Sequence, residues 1–190
     1  LTAFFASQNG KTKVLCGSER MHNRPIKILV DALKDLGAEI EYLDKDGYPP
    51  IKIVGQKLTN NKVQINGNVS SQYISALMLI ASSLENGLAI KLIGKVTSLP
   101  YIYMTLKMLH QLEIDAVFEE KFIKIQPKKE TEKQTIVVES DWSSASYWYS
   151  FVALSDIGSK VKLSAYKKDS LQGDSCLVEI YTHFGVETTF

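Results

Sequence analysis

Hydrophobic and polar positions alternate along the chain in short regular bouts, and the period of each bout points to an element. Lys62 to Ile65 alternates as a short strand does, and Gly67-Asn68 turns it into an apolar-rich helix over about Ser71 to Ser83. Ser70 or Ser71 is the natural N-cap, since a serine hydroxyl can accept from the unpaired amides of a first helical turn. Asn86-Gly87 ends the helix, and Leu88 to Ile93 reads as a buried strand. Pro100, whose φ is already near the helical value, starts a second helix running to about Gln111. Asp115 to Glu119 and Phe122 to Ile125 then form a hairpin around Glu120-Lys121. The predicted unit is β-α-β-α-β-β, an α/β (α+β) arrangement.

The unit repeats. An amphipathic run from Ile26 to Leu36, preceded by Pro25 and followed by Gly37-Ala-Glu-Ile-Glu-Tyr42, matches the run from Ile102 to Leu112 after Pro100, with the two prolines 75 positions apart. A third copy follows Asp169 to Asp174, runs from Cys176 to Phe184 and enters Gly185, which lies 148 positions after Gly37. Ser70-Ser-Gln-Tyr73 and Ser143-Ser-Ala-Ser-Tyr147 also recur, 73 positions apart. On this period the expected organisation is a repeat over 1–55 that is incomplete at its start, a complete one over 60–127, a charged connector over 128–134 and an incomplete one over 135–190. Lysines and glutamates interleave in the connector, which reads as an exposed loop and not as a nucleic-acid patch.

Composition narrows the class without naming a chemistry. The 190 residues carry 22 Lys+Arg against 21 Asp+Glu, 45% hydrophobic and 23% charged residues, as ordinary globular chains do. A net charge of +1 argues against wholesale nucleic-acid binding. The apolar stretches fall far short of the ~20 residues of a membrane span. Cys16 and Cys176 cannot make a disulfide framework, and no Cys-His cluster has zinc spacing, so a reducing cytoplasm is the expected location. The opening Leu-Thr-Ala-Phe-Phe-Ala has no initiator Met, basic leader or cleavage signal, and the expectation is that sequence upstream is missing.

Candidate chemistry gathers where turns enter helices. Ser70-Ser71-Gln72 offers neutral donors beside the amides of a helix N-terminus, a ready anion site. Simple capping explains one serine but not the second, nor the glutamine, and both readings stand. Arg20 and Arg24 flank the loop before the helix near Pro25, where a guanidinium fork could face a carboxylate or phosphate, or make surface salt bridges. Ser98 and Tyr101 bracket Pro100 at another such start, and capping alone would explain Ser98. Asp169 and Asp174 could be metal ligands, catalytic acids or caps, and composition favours caps. His22, His110 and His183 lack partners at ligand spacing, and no motif suggests covalent catalysis; His110 and His183 fall near predicted helix C-termini. Trp142, Trp148 and the tyrosines around them read as core and domain-face packing.

Collinear motifs then resemble a family. Glu19-Arg-Met-His-Asn-Arg-Pro25, Leu36-Gly-Ala-Glu39, Gly47-Tyr-Pro-Pro50, Ser70-Ser-Gln-Tyr-Ile-Ser-Ala-Leu77, Ser98-Leu-Pro-Tyr101, Ser143-Ser-Ala-Ser-Tyr147 and Asp169-Ser-Leu-Gln-Gly-Asp174 resemble the 5-enolpyruvylshikimate-3-phosphate synthases, the shikimate-pathway branch of the enolpyruvyl transferases. The resemblance implies a two-lobed inside-out barrel, each lobe made of three β-α-β-α-β-β units. Residues 1–127 would belong to the N-terminal lobe and 135–190 to the C-terminal lobe. It implies transfer of the enolpyruvyl group of phosphoenolpyruvate to the 5-hydroxyl of shikimate 3-phosphate, without metal or organic cofactor. The full-length enzyme would be a monomer whose partners are its small-molecule substrates, with no nucleic acid and no membrane. By motif, Ser70, Ser71, Gln72, Ser98 and Tyr101 would hold shikimate 3-phosphate, and Arg20 and Gln72 would reach phosphoenolpyruvate.

Two departures are visible. Leu99 stands where the family commonly has Lys, and Ser140-Asp141-Trp142 replaces a more usual Gly-Asp-Ala. The family's acid/base carboxylates would lie downstream of Phe190, so the chain is expected to be a central fragment, inactive alone. The alternatives are a phosphate-ligand binding module without catalysis and a relative of the UDP-sugar enolpyruvyl transferases.

Overall fold

The structure is a computed structural model that describes every residue except Val69, Ser98, Lys129, Thr131 and Glu132. The chain forms two bodies, Leu1–Glu132 and Lys133–Phe190.

In the first body the elements follow as α1 (Thr2–Ala6), β1 (Thr12–Leu15), α2 (Glu19–His22), α3 (Lys27–Asp35), β2 (Glu39–Tyr42), β3 (Ile51–Val54), β4 (Lys62–Asn66), α4 (Ser71–Ala81), β5 (Leu88–Ile93), α5 (Leu99–Gln111), β6 (Ala116–Glu119) and β7 (Phe122–Ile125). The strands make two sheets, β1-β3-β2 and β4-β5-β7-β6. β4 and β5 pair in parallel, and all other pairs are antiparallel. The first sheet has the order of the last three strands of the second, with four residue pairs on each central ladder, Thr12↔Val54 to Leu15↔Ile51 and Leu88↔Ile125 to Lys91↔Phe122. Alternation decides the faces: Val63 and Ile65, Leu88, Ile90 and Leu92, and Ile123 and Ile125 point inward while their neighbours stay outside. These side chains join Leu33, Ile53, Ile74, Leu77 and Ile102 of the other sheet and the helices in one continuous core.

Helix ends repeat as well. After α3, Gly37 (φ +102) donates to Lys34 O and Ala38 to Leu33 O. After α5, Glu113 (φ +55) donates to His110 O and Ile114 to Leu109 O. In the second body Gly185 (φ +78) donates to Thr182 O and Val186 to Tyr181 O. Each is a helix C-terminus closed by a left-handed residue whose amide and its successor's satisfy two free carbonyls. Glycine meets that requirement without Cβ crowding in two copies, and Glu113 meets it under strain in the third.

The second body contains α6 (Trp142–Ala153), a 3-10 turn (Gly173–Cys176) and α7 (Leu177–Thr182). Trp142, Ala145, Tyr149 and Val186 form its core, with Tyr166 edge-on to Trp142 at 5.0 Å between ring centroids. Trp148 and Tyr147, by contrast, are exposed. The strands of a third copy are not formed among the described residues. Ser140 N donates to Ala165 O at 2.9 Å, the counterpart of Gly67 N to Ile93 O in the first body. There the parallel pair is flanked by β7; here the two segments meet at this point without a third strand, and Val137 and Val138 stay exposed.

Candidate functional site

Helices α4 and α5 both begin at one end of one strand pair. β4 and β5 run in parallel with Asn66 opposite Ile93, so α4, which leaves β4, and α5, which leaves β5, both start beyond the carboxyl ends of these strands. The two connecting loops bond to each other: Gly67 N donates to Ile93 O at 2.8 Å and Thr97 N to Gly67 O at 3.2 Å. One to two turns into the helices, the Ser75 and Thr105 hydroxyls lie 2.9 Å apart, and Thr105 also donates to Tyr101 O at 2.8 Å. The starts of α4 and α5 are therefore held side by side. Sequence patterning missed this Ser75–Thr105 link, whose partners are 30 residues apart.

Ser70 is the N-cap of α4, as expected, but its side chain makes no cap hydrogen bond. That corrects the simple capping reading: the hydroxyl is not spent on the helix. Ser71 is buried in the first turn and Gln72 is exposed beside it. Neither α4 nor α5 carries an acidic residue in its first turn. The first turn of α4 thus offers amide donors beside neutral side chains with no acidic residue of its own, an arrangement suited to an anion. Tyr101 is exposed in the first turn of α5. Ser98 lies outside the described residues.

The arginines approach from the preceding repeat. Arg20 lies on α2, a single helical turn where a loop was expected, and Arg24 lies between α2 and α3. Both are exposed, and neither makes an ion pair among the described residues, so surface salt bridges do not account for them. This loop is fastened to α4 by the Tyr73 hydroxyl, which donates to Pro25 O at 2.5 Å, and burial raises the Tyr73 pKa. Tyr73 thus connects the arginine loop to the helix bearing Ser70, Ser71 and Gln72.

The corresponding start of α6 is built differently. Asp141 is its N-cap, accepting from Ser143 N at 3.1 Å and from the Ser144 hydroxyl at 2.9 Å. These bonds from Ser144 and Ser143 hold the Asp141 carboxyl below the usual range. The Ser143 hydroxyl donates to Asp174, which is a partner of α6 and not the cap that composition suggested. Gln172 brackets the same turn, accepting from Trp142 N and donating to Ser140 O, both at 2.9 Å. Glu139 accepts from the Trp142 indole at 3.0 Å. Burial pushes the Glu139 carboxyl up, but hydrogen bonds from Ser170, Trp142 and Lys167 outweigh it and hold the group low. Among the described residues no group of three or more His, Cys, Asp or Glu could hold a metal ion, and no helix is long and apolar enough to cross a membrane.

Comparison with known proteins gives this geometry a context. Residues 1–189 match the family described as EPSP synthase (3-phosphoshikimate 1-carboxyvinyltransferase). A 3-phosphoshikimate 1-carboxyvinyltransferase of Bacteroides fragilis is 42% identical over 191 aligned positions, covering 100% of this chain and 46% of that protein. Its counterpart in Pasteurella multocida is 39% identical over 187, covering 97% and 42%. The chain thus spans under half the length of these curated relatives. Among solved structures, an EPSP synthase from Acinetobacter baumannii superposes with a TM-score of 0.73 at 23% identity, over 97% of this chain and 40% of that one, which shows a shared fold, that of the enolpyruvyl transferases.

Proposed function

The chain belongs to the EPSP synthase family, and from that premise we propose that these residues serve an enzyme transferring the enolpyruvyl group of phosphoenolpyruvate to the 5-hydroxyl of shikimate 3-phosphate. Ser70, Ser71, Gln72, Ser98 and Tyr101 hold shikimate 3-phosphate, and Arg20 and Gln72 reach phosphoenolpyruvate. Residues 1–127 belong to an N-terminal lobe, 128–134 connect and 135–190 belong to a C-terminal lobe. The reaction takes place in the cytoplasm on small-molecule substrates, in a monomeric enzyme.

One observation carries the reading: the starts of α4 and α5, neither with an acidic residue in its first turn, are held side by side at the carboxyl ends of a parallel strand pair, with Ser70, Ser71 and Gln72 at the first of them. Both substrates are polyanions, and such a site supplies oriented amides and hydroxyls without a competing negative charge. Fixing one anion there and the other on a guanidinium of the loop tied to α4 turns an encounter of three bodies into a positioned reaction. Gln72, named for both substrates, is the residue where the two anions would meet.

Titration calorimetry with shikimate 3-phosphate on the 190-residue chain tests it. Binding is expected, and replacing Ser71 and Gln72 together by Ala should weaken it by about 10- to 100-fold, the loss of one or two hydrogen bonds to a charged group. An unchanged heat of binding in the double variant would remove the proposal.

A further inference from the structure

The turn between β1 and α2 holds a pair of side chains that the transfer reaction does not use. Cys16 Sγ lies 3.3 Å from His22 Nε2, and the thiol is exposed. The turn is tightly packed where they meet: Gly17 sits so close to Met21 that a Cβ there would fall 2.8 Å from the Met21 Cβ. Cys176, the other exposed cysteine, has no imidazole within hydrogen-bonding reach among the described residues. One molecule thus carries two accessible thiols, of which one stands beside a base.

We infer that Cys16 and His22 form a modification site that undergoes thiol–disulfide exchange with a low-molecular-weight disulfide. A thiol reacts as its thiolate, and a nucleophile next to an imidazole has a place to send its proton. The Cys16 proton passes to His22 Nε2 as the sulfur attacks one sulfur of the small disulfide. The new S–S bond forms as the old one breaks, and the departing sulfur takes that electron pair as a thiolate and is then protonated by the imidazolium. No other oxidant is needed, and excess small thiol reverses the step by the same route. Solvent exposure leaves the attack line open. This chemistry needs neither candidate substrate, so it stands or falls apart from the proposed transfer reaction.

Timed incubation of the chain with glutathione disulfide, followed by mass spectrometry of the Cys16 and Cys176 peptides, decides it. The Cys16 adduct should form at least about tenfold faster than the Cys176 adduct, the advantage of a base-assisted thiol over an unassisted one at equal access. His22→Gln, which stays polar but cannot take the proton, should bring Cys16 to within about twofold of Cys176 and leave the Cys176 rate unchanged. Equal rates in the unaltered chain, or an unchanged Cys16 rate in His22→Gln, would overturn the inference. His22→Phe repeats the comparison without a polar group, and the denaturant unfolding of each variant reports whether the first body, which holds Cys16 and His22, is intact.

Discussion

The starts of α4 and α6 occupy the same place in two copies of one repeat and solve the same problem in opposite ways. At α6 the chain brings its own anions: Asp141 caps the helix, Asp174 takes the Ser143 hydroxyl, and Gln172 closes the turn. At α4 the cap hydroxyl of Ser70 is unused by the helix and no acidic residue stands in the first turn. A helix N-terminus always offers free amides and partial positive charge. Where the sequence supplies a carboxylate the terminus becomes structure, and where it withholds one the terminus keeps its donors open, as the proposed binding requires. Ser70 and Ser143 read alike in sequence; a residue two positions before Ser143 and another 31 positions after it make the difference.

The sharpest way to break the comparison is to make α4 resemble α6. Ser70→Asp should cost about 100-fold in shikimate 3-phosphate affinity, because a fixed carboxylate repels the ligand from the amides it would occupy. The same change should raise the stability of the first body by about 0.5 kcal/mol through a better cap. Calorimetry and denaturant unfolding read the two effects, and a variant that lost stability and kept affinity would contradict the contrast drawn here.

Next in size, Tyr73→Phe removes the hydroxyl that fastens the arginine loop to α4. A lost hydrogen bond of about 1 kcal/mol should weaken phosphoenolpyruvate binding by up to roughly tenfold. Shikimate 3-phosphate affinity should stay within about twofold, because Ser70, Ser71 and Gln72 are untouched. Equal losses for both ligands would show that the tie merely stabilises the body.

The helix ends give a smaller, paired test. Gly37→Ala places a Cβ on a left-handed residue and should cost about 1 kcal/mol, whereas Glu113→Gly relieves one and should gain roughly 0.5 kcal/mol. The Glu113–Lys128 contact at 3.4 Å is lost with it, but Glu113 is too exposed for that pair to weigh much. Denaturation midpoints should therefore move in opposite directions.

Acidification should have the smallest effect and should separate the bodies. Glu139 and Asp141 both have carboxyls held below the usual range. They bind protons more weakly folded than unfolded, so their stabilisation is present at neutral pH and is lost as the pH falls through their folded pKa values. Solvent screening keeps that loss modest. Both tryptophans lie in the second body, so their fluorescence should register loosening there on acidification. In Asp141→Asn that response should shrink; a response of the same size would mean that other groups govern it.

Much of the first body was legible because its signals are local. Alternation placed β4, a bounded apolar run placed β5 and a hairpin pattern placed β6 and β7, and proline and the glycine turns bounded α4 and α5 to within a residue or two. The proline and glycine spacing exposed the repeat because cap positions obey strict backbone rules. What escaped was relational. The run around Val137 has strand propensity, yet a strand exists only as a pair, and among the described residues that segment makes its ladder-like contact at Ser140. The tie from Tyr73 to Pro25 spans 48 residues and leaves no mark in either neighbourhood. Asp141, by contrast, carries a local signal, since an acidic residue two places before a serine-rich helix start is a cap signal.

The bond from Thr97 to Gly67 joins the loops ahead of α4 and α5 before any ligand arrives. With the parallel strands about 4.8 Å apart beneath them, the two helix starts keep a fixed separation, and in the proposed site they would act as a caliper set to one opening. A caliper measures: it takes acceptors spaced to its gap and rejects those a bond too far apart, however highly charged. Selection among anions here is thus expected to follow length ahead of charge.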